Sequence, residues 1–394
     1  MPQRILTDCS PQMPAPHIVY FGQTPGQGTG SPIIILRHLW RLAAHGWRVS
    51  IVAESGQQHT LEAEGWPVFH LSLRKKWWPP FRPENRLLRE ARVHLWASEC
   101  AGFFDQPPQA VLTYLSLYSE MHSEVAAHYA ARCGAPLSVI VHDYPPDFPG
   151  FQSQNTKAVL RRQQGILEKA HQNWFVSPEL ADCYALPKEK KDVLLPLPEG
   201  NAARAEWKPE FAVKPLVVYA GYVYPVQIPL FRKVGRAIDA AGGRLLILSR
   251  KTQEIEALCQ TEPVDQHDLF PTNREALDFV GSTAAALLVS YSERLEEMPW
   301  TATSFPSKFI EFSHTGLPAL IVAPPKSAIA NWAAREAYAD AITADELASV
   351  RPFVEALKEE AAWNKKAERV LHFAQTEFHP EVIHARLESK LLIS

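Results

Sequence analysis

Sulfur is scarce in this chain, with five cysteines and four methionines among 394 residues. Cys9, Cys100, Cys133, Cys183 and Cys259 lie far apart, without a C-x-x-C pair or zinc-finger spacing, so neither a disulfide framework nor a thiolate metal site is expected. They read as buried or free thiols of a reducing cytoplasm. Net charge is also small, -3 with a pI near 6.6, and nucleic acid as the main partner would call for a basic domain. No apolar run approaches the ~20 residues of a membrane span. The opening MPQRILTDCSPQMPAPH has no apolar core of the kind a secretory signal needs. G-x-S-x-G, a P-loop and D-x-D are all missing, and the histidines form no H-x-x-x-H with an adjacent acid on one helix face. No metal site is expected for the chemistry.

What is present is the composition of a globular protein, 46% hydrophobic and 21% charged. The length exceeds one ordinary core and fits two domains. His17–Phe21 (HIVYF) reads as a buried strand, followed by GQTPGQGTGSP and an apolar-striped helix on which Ile33, Leu36, Trp40 and Ala43 share a face. RVSIVAES then supplies a second strand, completing the β–Gly loop–α–β opening of a doubly wound sheet. Strand-like runs recur at 110–114, 137–141, 174–177 and 193–196. The proline-punctuated stretch from Pro198 to Pro215 is the best linker, and after it LVVYAGY, RLLILS, AAALLVS and PALIVAP restart the alternation. The expected fold is α/β, with two doubly wound, Rossmann-like domains facing across a cleft: 1–200, 201–375, and a final helix in 376–394 packing back on the first domain. Ligands are expected between the domains, at the carboxyl ends of the strands.

Two segments suggest how that cleft is used. Gly26, Gly28 and Gly30, with Thr29, let backbone N–H groups approach an anion or a sugar at a helix start. The dinucleotide fingerprint fails because Ser31 and Pro32 follow Gly30, and a flexible loop before a Pro-started helix explains the stretch equally well. SFPSKFIEFSHTGLPALIV, from Ser304 to Val322, carries helix-start residues Pro306 and Ser307, a stop at Gly316 and a buried strand. Amides near Ser307 and Lys308 suit a diphosphate, and Glu311 could accept hydrogen bonds from a ribose diol. An amphipathic helix with a solvated Lys and Glu remains the alternative.

PSKFIEFSHTGLPALIV resembles the donor-binding segment of GT-B glycosyltransferases, in particular the retaining family-4-like group. Ser307, Lys308, Glu311, Gly316 and Pro318 fall on that pattern. The resemblance implies a GT-B fold and transfer from a nucleotide-diphosphate sugar, a substrate rather than a cofactor, to an acceptor with retention and without a metal. It places the donor beside Gly28, Thr29, Gly30, Gly221, Ser304, Ser307, Lys308 and Glu311. It also implies a histidine facing the acceptor where VHDY stands; His142 is then expected to contact the acceptor or transferred sugar with Asp143 orienting it, the alternative being a satisfied structural histidine at a strand end. The sequence departs from the pattern at Thr303, where the group often has an acid, and at Tyr222 and Gln227, where it commonly has basic residues. Arg250 and Lys251 could replace that charge or could be surface residues. LRKKWWPPFRP, 73–83, suits peripheral contact with a membrane interface or a packed loop. Two rival readings stay open: a non-catalytic nucleotide-sugar binder and a nucleotide-sugar epimerase of the same architecture.

Overall fold

A computed structural model describes residues 15–23, 30–54, 65–71, 86–115, 120–148, 156–200, 202 and 204–392. Buried parallel strands need apolar side chains on both faces, and the runs that read that way form two sheets. The first comprises β1 (His17–Phe21), β2 (Arg48–Glu54), β3 (Val68–Leu71), β4 (Ala110–Leu115), β5 (Leu137–Val141), β6 (Gln172–Phe175) and β7 (Lys191–Val193), in the order β3-β2-β1-β4-β5-β6-β7. The second comprises β8 (Leu216–Ala220), β9 (Arg244–Leu248), β10 (Val264–His267), β11 (Ala286–Ser290), β12 (Ala319–Val322) and β13 (Ala341–Ile342), in the order β10-β9-β8-β11-β12-β13. Every strand pair in both is parallel. Both sheets therefore reverse their winding beside their first strand, at β1/β4 and at β8/β11, and such switch points are where doubly wound folds bind ligands.

Helices cover the sheets: α1 (Ser31–Ala44), α2 (Arg86–Phe103), α3 (Glu120–Cys133), α4 (Thr156–Lys169) and α5 (Pro178–Asp182) in the first domain, then α6 (Pro209–Val213) in the connection. The second domain has α7 (Ile228–Ala240), α8 (Gln253–Thr261), α9 (Asn273–Thr283), α10 (Ser307–Ser313), α11 (Ala328–Arg335), α12 (Val350–Leu357) and α13 (Glu360–Gln375). α14 (Pro380–Glu388) returns to the first domain. Its neighbour Lys390 pairs with Asp192, and Arg386 donates to the Val193 carbonyl. The connection is more packed than a proline-rich linker suggests: Leu197, Ala205 and Phe211 are buried, and the Ala205 amide donates to the Thr315 carbonyl.

Each switch point carries the same turn. VYFGQ and VYAGY follow β1 and β8, and the tyrosine hydroxyl reaches over the glycine to a carbonyl three residues on, Tyr20 to Gln23 at 3.2 Å and Tyr219 to Tyr222 at 2.8 Å. A Cβ on Gly22 would stand 2.3 Å from the Tyr20 hydroxyl, and one on Gly221 would stand 3.2 Å from that of Tyr219. Gly221 is thus explained by close approach of its own strand's tyrosine. No described helix is long and apolar enough to cross a membrane. The 73–83 segment, Gly28 and Thr29 lie outside the described residues.

Candidate functional site

His142 is the first residue past β5 and is 7% exposed. Its Nδ1 lies 2.8 Å from the hydroxyl of Ser31, the first residue of α1, which follows Gly30 at φ +69°. The Tyr114 hydroxyl, from the end of β4, lies 2.9 Å from Ser31 Oγ and donates to Asp143 Oδ2 at 3.3 Å. The expected His142–Asp143 orientation is therefore corrected: Ser31 holds the imidazole, and Asp143 is held by Tyr114. Burial lowers the His142 pKa to about 4, leaving a neutral ring. Burial also raises Asp143 to about 6, against the opposing effect of the Tyr114 hydrogen bond.

α10 joins β11 to β12, so its first turn lies at the carboxyl end of the second sheet. Pro306 precedes it without a side-chain cap, and Gly316 at φ +71° supplies the turn into β12. Glu311 is buried, 7% exposed, which rules out a solvated face at that position. Oε2 accepts from Arg37 Nη1 at 2.7 Å. Oε1 accepts from Arg37 Nη2 at 3.3 Å, Asn273 Nδ2 at 2.8 Å and the Glu199 amide at 3.1 Å. Lys308 is exposed and donates to Asn273 Oδ1 at 3.2 Å. Arg37 and Asn273 escaped the sequence reading. Arg37 sits within an apolar helix stripe, and nothing local couples it to a carboxylate in the other domain.

The two domains meet beside this cluster. Ser304 Oγ lies 3.5 Å from the His142 carbonyl, Thr303 donates to Asp147 at 2.8 Å, and Phe148 stacks on Trp300 at 5.6 Å. Tyr224 packs on Trp300 and on Tyr222, continuing an aromatic ladder to Tyr222, which is 61% exposed. Gln227 is buried and structural, bonded to the Tyr224 amide and the Ser290 carbonyl. Arg250 and Lys251 are exposed after β9, and Lys251 pairs with Glu256 at 2.7 Å. A depression of about 410 Å³ behind α11, lined by Ala333, Tyr338 and Ile342 among others, shares no residue with this cluster.

No family model matches the sequence, and no curated protein matches it. Solved structures do match in fold. Sucrose-phosphate synthase of Thermosynechococcus elongatus is 15% identical with a TM-score of 0.62, over 95% of this chain and 98% of that one. A glycosyltransferase of Rickettsia africae is 11% identical with a TM-score of 0.64, over 95% and 98%. HepE of Anabaena, solved with UDP-glucose, is 12% identical with a TM-score of 0.62, over 95% and 99%.

Proposed function

Since the chain has the GT-B fold, we propose that it is a glycosyltransferase moving a sugar from a nucleotide-diphosphate donor to an acceptor. The observation that carries this reading is the meeting of the Ser304–Glu311 segment with the His142 cluster where the two switch points face each other. HepE, of the same fold, was solved holding UDP-glucose. In this reading the second domain holds the nucleotide and diphosphate, with Gly221, Ser304, Ser307 and Lys308 along the diphosphate. Arg250 and Lys251 stand on the neighbouring strand end as further cations. Glu311 Oε2 receives a single bond, from Arg37, and keeps an acceptor direction for a ribose hydroxyl. The first domain presents Gly28–Gly30, Ser31 and His142 to the transferred sugar and acceptor. A neutral His142 ring can accept or donate a hydrogen bond to a sugar hydroxyl without adding charge. Stabilisation of the departing diphosphate by amides and cations, with closure excluding water, supplies the rate without a bound metal. Retention follows from the family-4-like pattern of the segment.

A thermal-shift panel of UDP, GDP, ADP and TDP sugars tests donor binding, because a ligand bound by the native state alone raises the melting temperature by mass action. A flat response to all four classes would sink the reading. A second reading, a nucleotide-sugar binder without chemistry, is favoured by the uncharged Tyr222, the buried Gln227 and the Asp147-bound Thr303. Transfer or donor hydrolysis separates the two.

A further inference from the structure

Beginning beside Arg37 and running to the end of α1, a second cluster joins the first helix to the last. His38 and His384 are fully buried, with their Nδ1 atoms 3.1 Å apart. The other ring nitrogen of His384, Nε2, is buried without a hydrogen-bond partner and lies 3.7 Å from Glu388 Oε2. The same oxygen is 2.7 Å from Nδ1 of His45, the residue that ends α1. Glu388 Oε1 accepts from Trp47 Nε1 at 2.8 Å. The three inward atoms of His45, His384 and Glu388 lie within 4.8 Å of one another. An unmade hydrogen bond on a buried polar atom costs about 1–3 kcal/mol, and the His384 nitrogen is aimed at the one point the other two groups share.

We propose that His45 Nδ1, His384 Nε2 and Glu388 Oε2 bind a divalent transition-metal ion, zinc by the chemistry of its donors, which staples α14 to the end of α1. Two imidazoles and a carboxylate suit zinc, with a water completing the tetrahedron. That water lies on the open side, where His45 is half-exposed. Bonds of ~2.0–2.2 Å put tetrahedral ligand atoms about 3.3 Å apart. The His384–Glu388 gap must close by about 0.4 Å, the His45–Glu388 gap must open by about half an ångström, and the His45–His384 gap, within 4.8 Å, must also come to about 3.3 Å, a shift the exposed His45 ring can make. Each ligand gives a lone pair, the His45 proton moves to Nε2, and nothing is oxidised or reduced. The outer contacts are of the kind that orient metal ligands: with the metal on Nε2, His384 would carry its proton on Nδ1 and donate it to His38 Nδ1, and Trp47 holds the second oxygen of Glu388. Arg41, the nearby cation, is paired with Glu381.

The full-length chain, stripped with chelator and dialysed, is titrated with zinc alone, and separately with cobalt for its visible absorption. One ion per chain is expected, with a rise in melting temperature and a tetrahedral cobalt spectrum. His45→Ala and Glu388→Gln should lose the ion, and Trp47→Phe should weaken it about 10–100-fold. His45 is half-exposed, so His45→Ala remains decisive should Glu388→Gln fold poorly. A folded wild type that takes up no zinc, or a His45→Ala variant that binds as tightly as wild type, overturns the proposal.

Discussion

Arg37, on the helix that opens the first domain, and Glu311, on the short helix of the second, form a two-pronged ion pair across the domain interface, at 2.7 and 3.3 Å. Both side chains are about nine-tenths buried. Arg37 also donates to the Leu197 carbonyl at 2.9 Å, where the chain crosses between the domains. The Glu311 carboxylate is thus oriented by the opposite domain, and under the proposed function donor binding and domain closure would share that group.

Breaking a buried pair by removing one partner leaves an uncompensated charge and typically costs about 3–5 kcal/mol. Arg37→Met and Glu311→Gln are each expected to lower the urea midpoint sharply, and the double variant Arg37→Met/Glu311→Gln to lose clearly less than the sum. Strictly additive losses would show that the pair is not coupled. Arg37→Met should also raise KM for the donor more than it lowers kcat, because Arg37 positions Glu311 rather than touching the reacting atoms.

Under the proposed function, Asp143 would give catalysis a pH dependence. Burial holds its folded pKa near 6, so the group is protonated below that pH and charged above it. If the carboxylate is the working form, kcat/KM falls on the acid side with a limb near pH 6. Asp143→Asn should lower activity and remove that limb. Tyr114→Phe, which takes away the hydrogen bond that favours the charged form, should move the limb upward. A limb that stays in place in Asp143→Asn assigns it to another group.

Most of the fold could be read because buried parallel strands are continuous apolar runs. HIVYF, LSVIV, RLLIL and ALIV stand out for that reason. β10 (VDQH) and the two-residue β13 did not, since edge strands are short and need only one covered side. β6 and β7 begin two residues before the runs at 174–177 and 193–196, because Gln172 and Lys191 join the ladder through backbone bonds that no side-chain pattern marks. Around the candidate site, Glu311 and His142 were visible as polar residues at the ends of apolar elements, but their partners were not. Arg37 lies 274 positions from Glu311, and Ser31 lies 111 from His142. The first pairing exists only once both domains are assembled, the second only once the first sheet has brought α1 beside the end of β5. The cluster of His38 and His45 with His384 and Glu388 escaped for the same reason, because α1 and α14 lie at opposite ends of the chain.

The tyrosine-over-glycine turns make a sharp packing test. Gly22→Ala forces its Cβ against the Tyr20 hydroxyl, with no room short of moving a buried ring. Overpacking of this kind costs about 1–3 kcal/mol. Tyr20→Phe removes the nearest clashing atom together with its bond to the Gln23 carbonyl but leaves ring Cζ 2.7 Å from the new Cβ, so Gly22→Ala should cost less in that background without becoming neutral. Thermal or urea unfolding of the two singles and the double gives the answer, and equal costs in both backgrounds would refute the contact.

Several buried histidines work against acid stability, among them His17 and His142, both lowered to about 4, His17 by burial and then by the Arg48 charge, His142 by burial. In the unfolded chain both return to about 6.5. Between about pH 6.5 and 4 the unfolded state therefore binds protons that the native state refuses, and unfolding free energy falls as pH falls, by about 1.4 kcal/mol per pH unit for each proton. Full protonation of the two in the unfolded chain would remove roughly 3 kcal/mol each. Asp143 works the other way: raised to about 6 from 3.8, it binds its proton first in the native state and gives back part of that loss between those values. The net slope from these three groups is about one proton near pH 5, and His17→Gln should flatten it by about one proton, while Asp143→Asn should steepen it by as much. Urea denaturation at several pH values, with chelator present so that no metal contributes, measures both changes; a His17→Gln slope equal to the wild type would mean that this ring titrates alike in the two states.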